Sequence, residues 1–263
     1  MTPAVSVLMA VRDGAPWVGE AVASVLGQTA GDLELIVIDD GSRDGTPALL
    51  EGVDDPRLRV ERRAPAGLTA ALNRALALAR APLVARLDAD DLALPDRLAR
   101  QRAFMDAHDE VGLLGGAARE VDPAGREVAV RRPPPDDAAL RAALIRRNPF
   151  IHSAVMARRA LVERAGGYDE SVPVAQDYDL WMRLAPLTRL ASLPEVLVVR
   201  RLLPHRVSAT RDDARLRAET RIRWRALRRG GYPWWCAVFA LRPAVALALP
   251  LPLRRGVRRA LGR

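Results

Sequence analysis

Apolar positions open the chain in an almost unbroken run, Ala4-Val5-Ser6-Val7-Leu8-Met9-Ala10-Val11, the pattern of a strand buried on both faces. Arg12-Asp13-Gly14 breaks it. From residue 15 to 28 the spacing changes, and Val18, Ala21, Val22, Val25 and Leu26 recur as one face of a helix. Residues 33–38 form a second buried-strand run, and Thr46-Pro47 starts a short helix with proline suited to its first turn. Residues 58–61 read as a third strand, 68–79 as an Ala/Leu-rich helix, 83–87 as a fourth strand and 95–108 as a helix.

After His108 the rhythm changes. Residues 111–117, with Gly115-Gly116, read as a strand, and 120–130, around Asp122-Pro123-Ala124-Gly125, as a hairpin. Arg131-Arg132-Pro133-Pro134-Pro135 is an extended connector. Residues 136–147 suit a helix with Asp136 or Asp137 as N-cap. Then follow a strand at 153–157, a short helix at 161–165 closed by Gly166-Gly167, a helix at 176–184 opened by Asp177, and a last strand at 196–202. Strands alternating with helices predict right-handed crossovers and a Rossmann-like, mostly parallel central sheet with helices on both faces, an α/β fold. Ligands of such sheets sit outside the carboxyl ends of the strands.

Two acidic turns fall on that edge, Asp39-Asp40-Gly41-Ser42 and Asp88-Ala89-Asp90-Asp91. Aspartate is a poor strand and helix former, and like charges this close repel, so the second turn calls for a compensating cation. Hard divalent ions take oxygen ligands. The residues alone leave a plainer reading open for each turn, an Asx turn capping the helix that follows.

The net charge of +9 on 263 residues is uneven. Residues 1–204 hold 26 arginines against 29 acidic side chains, and residues 205–263 hold 15 against 3. The chain has no lysine, so its basicity is a compositional habit as much as a signal. Aromatics spaced for base stacking are missing, and no nucleic-acid partner is expected. The single cysteine, Cys236, excludes an internal disulfide, and the first residues carry no leader pattern; both point to a cytoplasmic setting.

The ordered set Val5-Ser6-Val7-Leu8-Met9, Asp39-Asp40-Gly41-Ser42 with Asp44-Gly45-Thr46, Asp88 with Asp90-Asp91, Pro95-Asp96-Arg97-Leu98, Gly166-Gly167-Tyr168-Asp169 and Gln176-Asp177-Tyr178-Asp179-Leu180-Trp181 resembles the family-2 glycosyltransferases of the GT-A fold. The resemblance covers roughly residues 3–210. It implies a catalytic domain over 1–205, with a nucleotide-sugar-binding half at 1–110 and an acceptor-binding half at 111–205. It implies transfer of a sugar from a UDP-, GDP- or dTDP-linked donor to a glycan or lipid-linked acceptor, usually with inversion. A divalent cation, Mn²⁺ or Mg²⁺, would stabilise the diphosphate leaving group. By the same resemblance Ala10, Arg12, Asp39, Asp40, Asp88, Ala89 and Asp90 meet the donor, Asp90 or Asp91 holds the metal, and His205 is a late metal or phosphate contact. Asp177 takes the place of the general base, with an N-cap of its helix as the plainer role; Gly167, Tyr168 and Trp181 fall on the acceptor side, and His152 lines the acceptor pocket or is a hydrogen-bonded structural histidine.

Two departures stand out. Gln176 replaces the glutamate the family often has before the base. Arg12-Asp13 stands where the family often has an aromatic and an asparagine, and arginine can also stack on a base or reach a phosphate. A nucleotidyltransferase on a related sheet would need a Gly-rich basic loop after the first strand, which Arg12-Asp13-Gly14 supplies poorly. A non-catalytic sugar-nucleotide binder would not need carboxylates at 88, 90 and 177.

The tail, 206–263, reads as a basic helix to Arg229, then Tyr232-Pro233-Trp234-Trp235 and two apolar runs split by Arg242-Pro243. A spanning helix takes about 20 apolar residues, so a clean span is not expected. Tryptophan, tyrosine and arginine beside apolar runs fit an interfacial anchor on an anionic membrane, at the inner face of the cell membrane. The competing reading packs the tail on the catalytic domain or on a second subunit.

Overall fold

A computed structural model describes residues 2–203 and 212–248. Strand β1 (Val5–Val11) is buried throughout and lies between β2 (Leu33–Asp39) and β4 (Leu83–Arg86), parallel to both. β3 (Leu58–Arg62) extends this parallel set beyond β2. The connections are α1 (Val18–Leu26), α2 (Thr46–Glu51) and α3 (Leu68–Leu78). Alternate residues of the strands serve two layers. Val7, Met9, Leu35 and Val37 join the α1 side with Val18, Val22 and Val25, while Leu8, Ala10, Ile36 and Ile38 join Ala71, Leu72 and Ala75 of α3. A strand buried on both faces needs an unbroken apolar run, which is what residues 4–11 show.

The chain continues through β5 (Leu92–Ala93), α4 (Arg97–Ala107), the hairpin β6 (Val111–Val121) and β7 (Glu127–Arg131), and α5 (Asp137–Leu144). Then come β8 (Met156–Arg158), α6 (Arg159–Arg164), α7 (Gln176–Leu184) and β9 (Arg189–Arg201). The sheet order is β3-β2-β1-β4-β8-β6-β9-β5, with β7 on β6. β8 enters antiparallel between β4 and β6, and β9 runs parallel to β6. The first half is the parallel sheet expected from the alternation; the second is mixed.

Three local expectations shift. β9 begins at Arg189, well before 196, because pairing with β6 outweighs the polar positions and Pro194; the register slips around Ala117. Residues 152–154 form a 3₁₀ turn, which moves the strand expected at 153–157 to β8. Asp136 is the N-cap of α5, its carboxylate accepting the Ala139 N–H at 2.9 Å.

Two C-terminal helices, α8 (Asp212–Arg228) and α9 (Ala237–Ala248), complete the described structure. α8 lies against α7 and α9. Its Arg223 is buried and donates to Tyr178 Oη at 3.1 Å, the Phe239 carbonyl at 3.0 Å and Glu219 at 2.9 Å. Arg225 pairs with Asp169 at 2.9 Å and Asp179 at 3.6 Å. The basic helix is therefore packed on α7 and Asp169. No helix among the described residues is long and apolar enough to cross a membrane.

Candidate active site

β4 delivers the acidic corner at its carboxyl end. Oxygens of Asp88, Asp90 and Asp91 lie within 4.8 Å of one another. Asp91 is wholly buried: one oxygen accepts the Arg201 N–H at 3.0 Å and the other the Ser153 hydroxyl at 2.5 Å. Ser153 Oγ is also 2.8 Å from Asp88 Oδ2, and it accepts the Asp88 N–H at 3.2 Å. Asp88 and Asp90 are partly exposed.

Much of the countercharge comes from the chain itself. Buried Arg86 pairs with Asp88. Fully buried Arg97 donates to the Arg86 carbonyl at 2.8 Å, the Val155 carbonyl at 3.1 Å and Gln101 at 3.0 Å. Burial, with Arg86 nearby, pulls the Arg97 pKa down to about 9, against the opposing pull of Asp91. Arg201 donates to the Asp90 carbonyl at 3.0 Å, pairs with Glu20, and lies 4.7 Å over the Trp17 ring.

The other acidic turn holds backbone groups of its own loop and of the 65–67 segment. Asp39 and Asp40 are buried. Asp39 accepts the Ser42 N–H at 2.8 Å and faces Arg62 at 3.6 Å. Asp40 accepts the N–H groups of Ala66 and Gly67 at 2.7 and 2.8 Å, which folds the 65–67 loop over the turn. Gly41, at φ 76°, sits where a Cβ would strike Pro65 at 2.6 Å. Asp13, at φ 54°, clasps the same turn, its N–H donating to Ser42 at 2.9 Å and its carboxylate accepting the Arg43 N–H at 2.8 Å. Exposed Arg12 is thus carried beside residues 39–44, while Ala10 is buried in β1 opposite Ile38.

Asp177 stands in the first turn of α7. The helix starts after Ala175, which has left-handed φ of 62°, and no side chain caps it; Asp177 is not the N-cap. Its Oδ2 instead accepts the Asn148 Nδ2–H at 2.7 Å. Nearby, His152 Nε2 and Tyr168 Oη are 3.0 Å apart, and the His152 ring meets Trp181 edge-on at 6.0 Å. Burial and the Arg86 charge push the His152 pKa down to about 4, while Asp177 and Asp88 act the other way. Burial likewise holds the Tyr168 phenol above its ordinary range. One aromatic cluster thus feels the charges of both Asp88 and Asp177. Tyr168 and Trp181 are buried, forming the floor of this region and not an open wall. Gly167 has φ 62°, and a Cβ there would meet Asn73 Oδ1 at 2.9 Å. A cavity of about 20 Å³, room for one water, lies between Arg86, Tyr168 and Trp181.

His205 lies outside the described residues. Four side chains of the site were not singled out from the sequence: Arg86, Asn148, Ser153 and Arg201. Arg86 had a visible signal, a charge inside the buried run Leu83-Val84-Ala85-Arg86-Leu87. Asn148 and Ser153 carry none, since their importance comes from the fold bringing them to Asp177 and Asp88. A larger cavity, about 200 Å³, lies between α7 and α8, lined by Met182, Ile222, Ala226 and Tyr232 with Arg141, Asp179 and Arg225.

A parallel β3-β2-β1-β4 half ending in carboxylates, joined to a mixed half that carries Asp177, is the architecture of GT-A glycosyltransferases. The chain matches the sequence model of the family "Glycosyl transferase family 2" over residues 6–165, and it belongs to that family. It is a glycosyltransferase. It is 31% identical over 226 residues to an uncharacterized glycosyltransferase of Haemophilus influenzae, covering 82% of this chain and 83% of that one. It is 38% identical over 133 residues to the amylovoran biosynthesis glycosyltransferase AmsE of Erwinia amylovora, and these cover 50% of this chain and 49% of the relative, about half of each. In fold it is similar to the mannosyltransferase PcManGT of Pyrobaculum calidifontis in complex with GDP-Man and Mn²⁺, with TM-score 0.68 and 24% identity over 99% of this chain and 81% of that one.

Proposed function

We propose that this glycosyltransferase moves a sugar from a nucleoside-diphosphate donor to a hydroxyl of a glycan or lipid-linked acceptor, with inversion and with a divalent cation. The observation that carries the reading is the acidic corner at the end of β4, where oxygens of Asp88, Asp90 and Asp91 lie within 4.8 Å of one another, in a chain whose α7 carries Asp177 held by Asn148 at 2.7 Å. Residues 1–205 form the catalytic unit, with the donor held by 1–110 and the acceptor by 111–205.

The oxygen donors at the acidic corner suit a hard divalent ion, and their closeness favours a cation among them. Asp88 and Asp90, the partly exposed pair, would hold it. Asp91, buried with both oxygens hydrogen-bonded, would fix the loop. When bound, the ion neutralises the diphosphate as it leaves. The likeness to a fold that binds GDP-Man and Mn²⁺ supports this choice of ligand class. Asp39, Asp40, Ala10, Arg12 and Ala89 would line the nucleoside side. The acceptor oxygen attacks the anomeric carbon as the bond to the diphosphate breaks. Asp177, its Oδ2 held by Asn148, takes the acceptor proton on Oδ1. His152, Gly167, Tyr168 and Trp181 shape the acceptor side from beneath.

The work is done at an anionic membrane surface reached through residues 206–263, on the cytoplasmic side. Incubation with UDP-, GDP- and dTDP-sugars plus Mn²⁺ or Mg²⁺ tests the reaction. Metal-dependent release of a nucleoside diphosphate from one donor class supports it. Release of pyrophosphate, or no turnover with any donor and acceptor extract, overturns it.

A further inference from the structure

The described part of the tail divides into two helices with opposite habits. α8 turns two arginines toward protein, Arg223 to Glu219, Tyr178 and Phe239, and Arg225 to Asp169 and Asp179, while Arg217, Arg221 and Arg228 are exposed. α9 does the reverse with its apolar residues. Cys236 and Ala240 face inward, 2% and 0% exposed. Trp234, Trp235, Val238, Leu241 and Val245 face outward, at 86%, 54%, 53%, 48% and 59%. Positions 234, 238, 241 and 245 follow helical spacing, so the outward residues form one stripe along α9 and the turn before it. A contiguous exposed apolar stripe marks a contact surface.

Among the described residues after Glu219 the charge has one sign: 220–248 hold six arginines and no aspartate or glutamate, and Arg228, Arg229 and Arg242 are exposed. A second copy of the chain, docked stripe to stripe about a two-fold axis, would bring these like charges toward their own copies. An anionic lipid surface meets both features.

We propose that this face of α9 is the bilayer contact: the helix lies in the plane of an anionic membrane, with Trp234, Trp235, Val238, Leu241 and Val245 at the boundary of headgroups and acyl chains. Arg228, Arg229 and Arg242 meet the lipid phosphates. The proposal rests on, and narrows, the reading of 206–263 as the membrane-facing part, and assigns the buried side of α8, with Arg223, to protein packing. The inward side of α9 is coupled to the acceptor half. Arg146 lies 5.1 Å over the Phe239 ring, two residues before Asn148. A bilayer under α9 is therefore held in fixed relation to the segment that positions Asp177, as an acceptor presented from a membrane requires.

The test uses the full chain, co-sedimented with vesicles of phosphatidylcholine with phosphatidylglycerol or of phosphatidylcholine alone. Binding to the mixed vesicles is expected, with quenching of tryptophan fluorescence by brominated lipid. The V238E/L241E variant is expected to bind about tenfold more weakly or worse, with metal-dependent donor hydrolysis and circular dichroism unchanged. The W234F/W235F variant is expected to lose most of the quenching. If V238E/L241E binds mixed vesicles like the parent while removal of 249–263 abolishes binding, the α9 proposal falls and the broader membrane reading stands. If the parent binds neither vesicle, both fall. If light scattering shows a dimer that V238E/L241E converts to monomer, with vesicle binding unaltered, the surface belongs to a second copy and the proposal is overturned.

Discussion

Asn148 holds one oxygen of Asp177, its amide nitrogen 2.7 Å from Oδ2, while its own carbonyl accepts the Phe150 N–H at 3.2 Å. The amide is thereby fixed at both ends. It turns a carboxylate in the first turn of α7 into one with a set direction, and a base of set direction is what proton removal from an acceptor hydroxyl requires.

Replacing Asp177 with Asn should leave donor binding intact and lower transfer by about 10³-fold. Asn148→Ala should lower kcat by about tenfold to a hundredfold with little change in donor KM, because it removes direction and not the base. Steady-state kinetics on both variants, with donor affinity measured separately, checks this; equal kcat in Asn148→Ala and the parent would remove Asn148 from the role.

The carboxylates of the acidic corner should separate by assay. Asp90→Asn is expected to abolish metal-dependent turnover with thermal stability unchanged within a degree or so. Asp91→Asn places an amide where two donors, the Arg201 N–H and the Ser153 hydroxyl, converge on a buried carboxylate. It should cost about 2 kcal/mol and lower Tm by about 5 °C. Calorimetry beside an activity assay reads both effects.

His152 gives a pH dependence with a definite sign. Its pKa in the folded chain is about 4, below the ordinary 6.5. Between those values the unfolded chain binds the proton and the folded chain does not, so this residue lowers stability as pH falls from 6.5 toward 4. His152→Gln should flatten that part of the stability curve, measured by urea unfolding at a series of pH values.

Arg223 is the buried pin between α8 and the rest of the protein. Arg223→Ala leaves Glu219 without this partner and removes the bond to Tyr178, at a cost of about 3 kcal/mol. Hydrogen exchange should then rise in α8 and α9 well before it rises in β1, β2 or β4. Uniform exchange across the protein would show that the helices are not separately held.

The first half of the fold was readable because its strands are covered on both faces, and such strands announce themselves as apolar runs. β9 was half hidden because its early residues, with Ser192, Pro194 and Glu195, owe their strand conformation to β6 and not to their own propensity. The acidic corner was visible as a cluster, but the division of labour within it was not. Asp90 and Asp91 are equivalent in sequence, and only burial against Ser153 and Arg201, distant by some sixty and a hundred and ten residues, tells them apart. Asp39 and Asp40 read as ligand contacts or as an Asx turn, and the fold shows the backbone bonds of a turn, which a ligand role can accompany. The family resemblance pointed to Asp177, and the structure shows the side chain that holds it, Asn148.

The pairing of β6 with β9 has a kinetic meaning. Leu113 lies opposite Leu190, and the chain between them contains α5, Asn148, the 152–154 turn, β8 and all of α7. Closing so long a loop is slow compared with forming the β1–α1–β2 unit, whose contacts are local. Asn148 and Asp177 meet inside that loop. During refolding from denaturant, native-like helix signal should therefore appear first, and transfer activity should return in a later phase, as the β6–β9 seam closes.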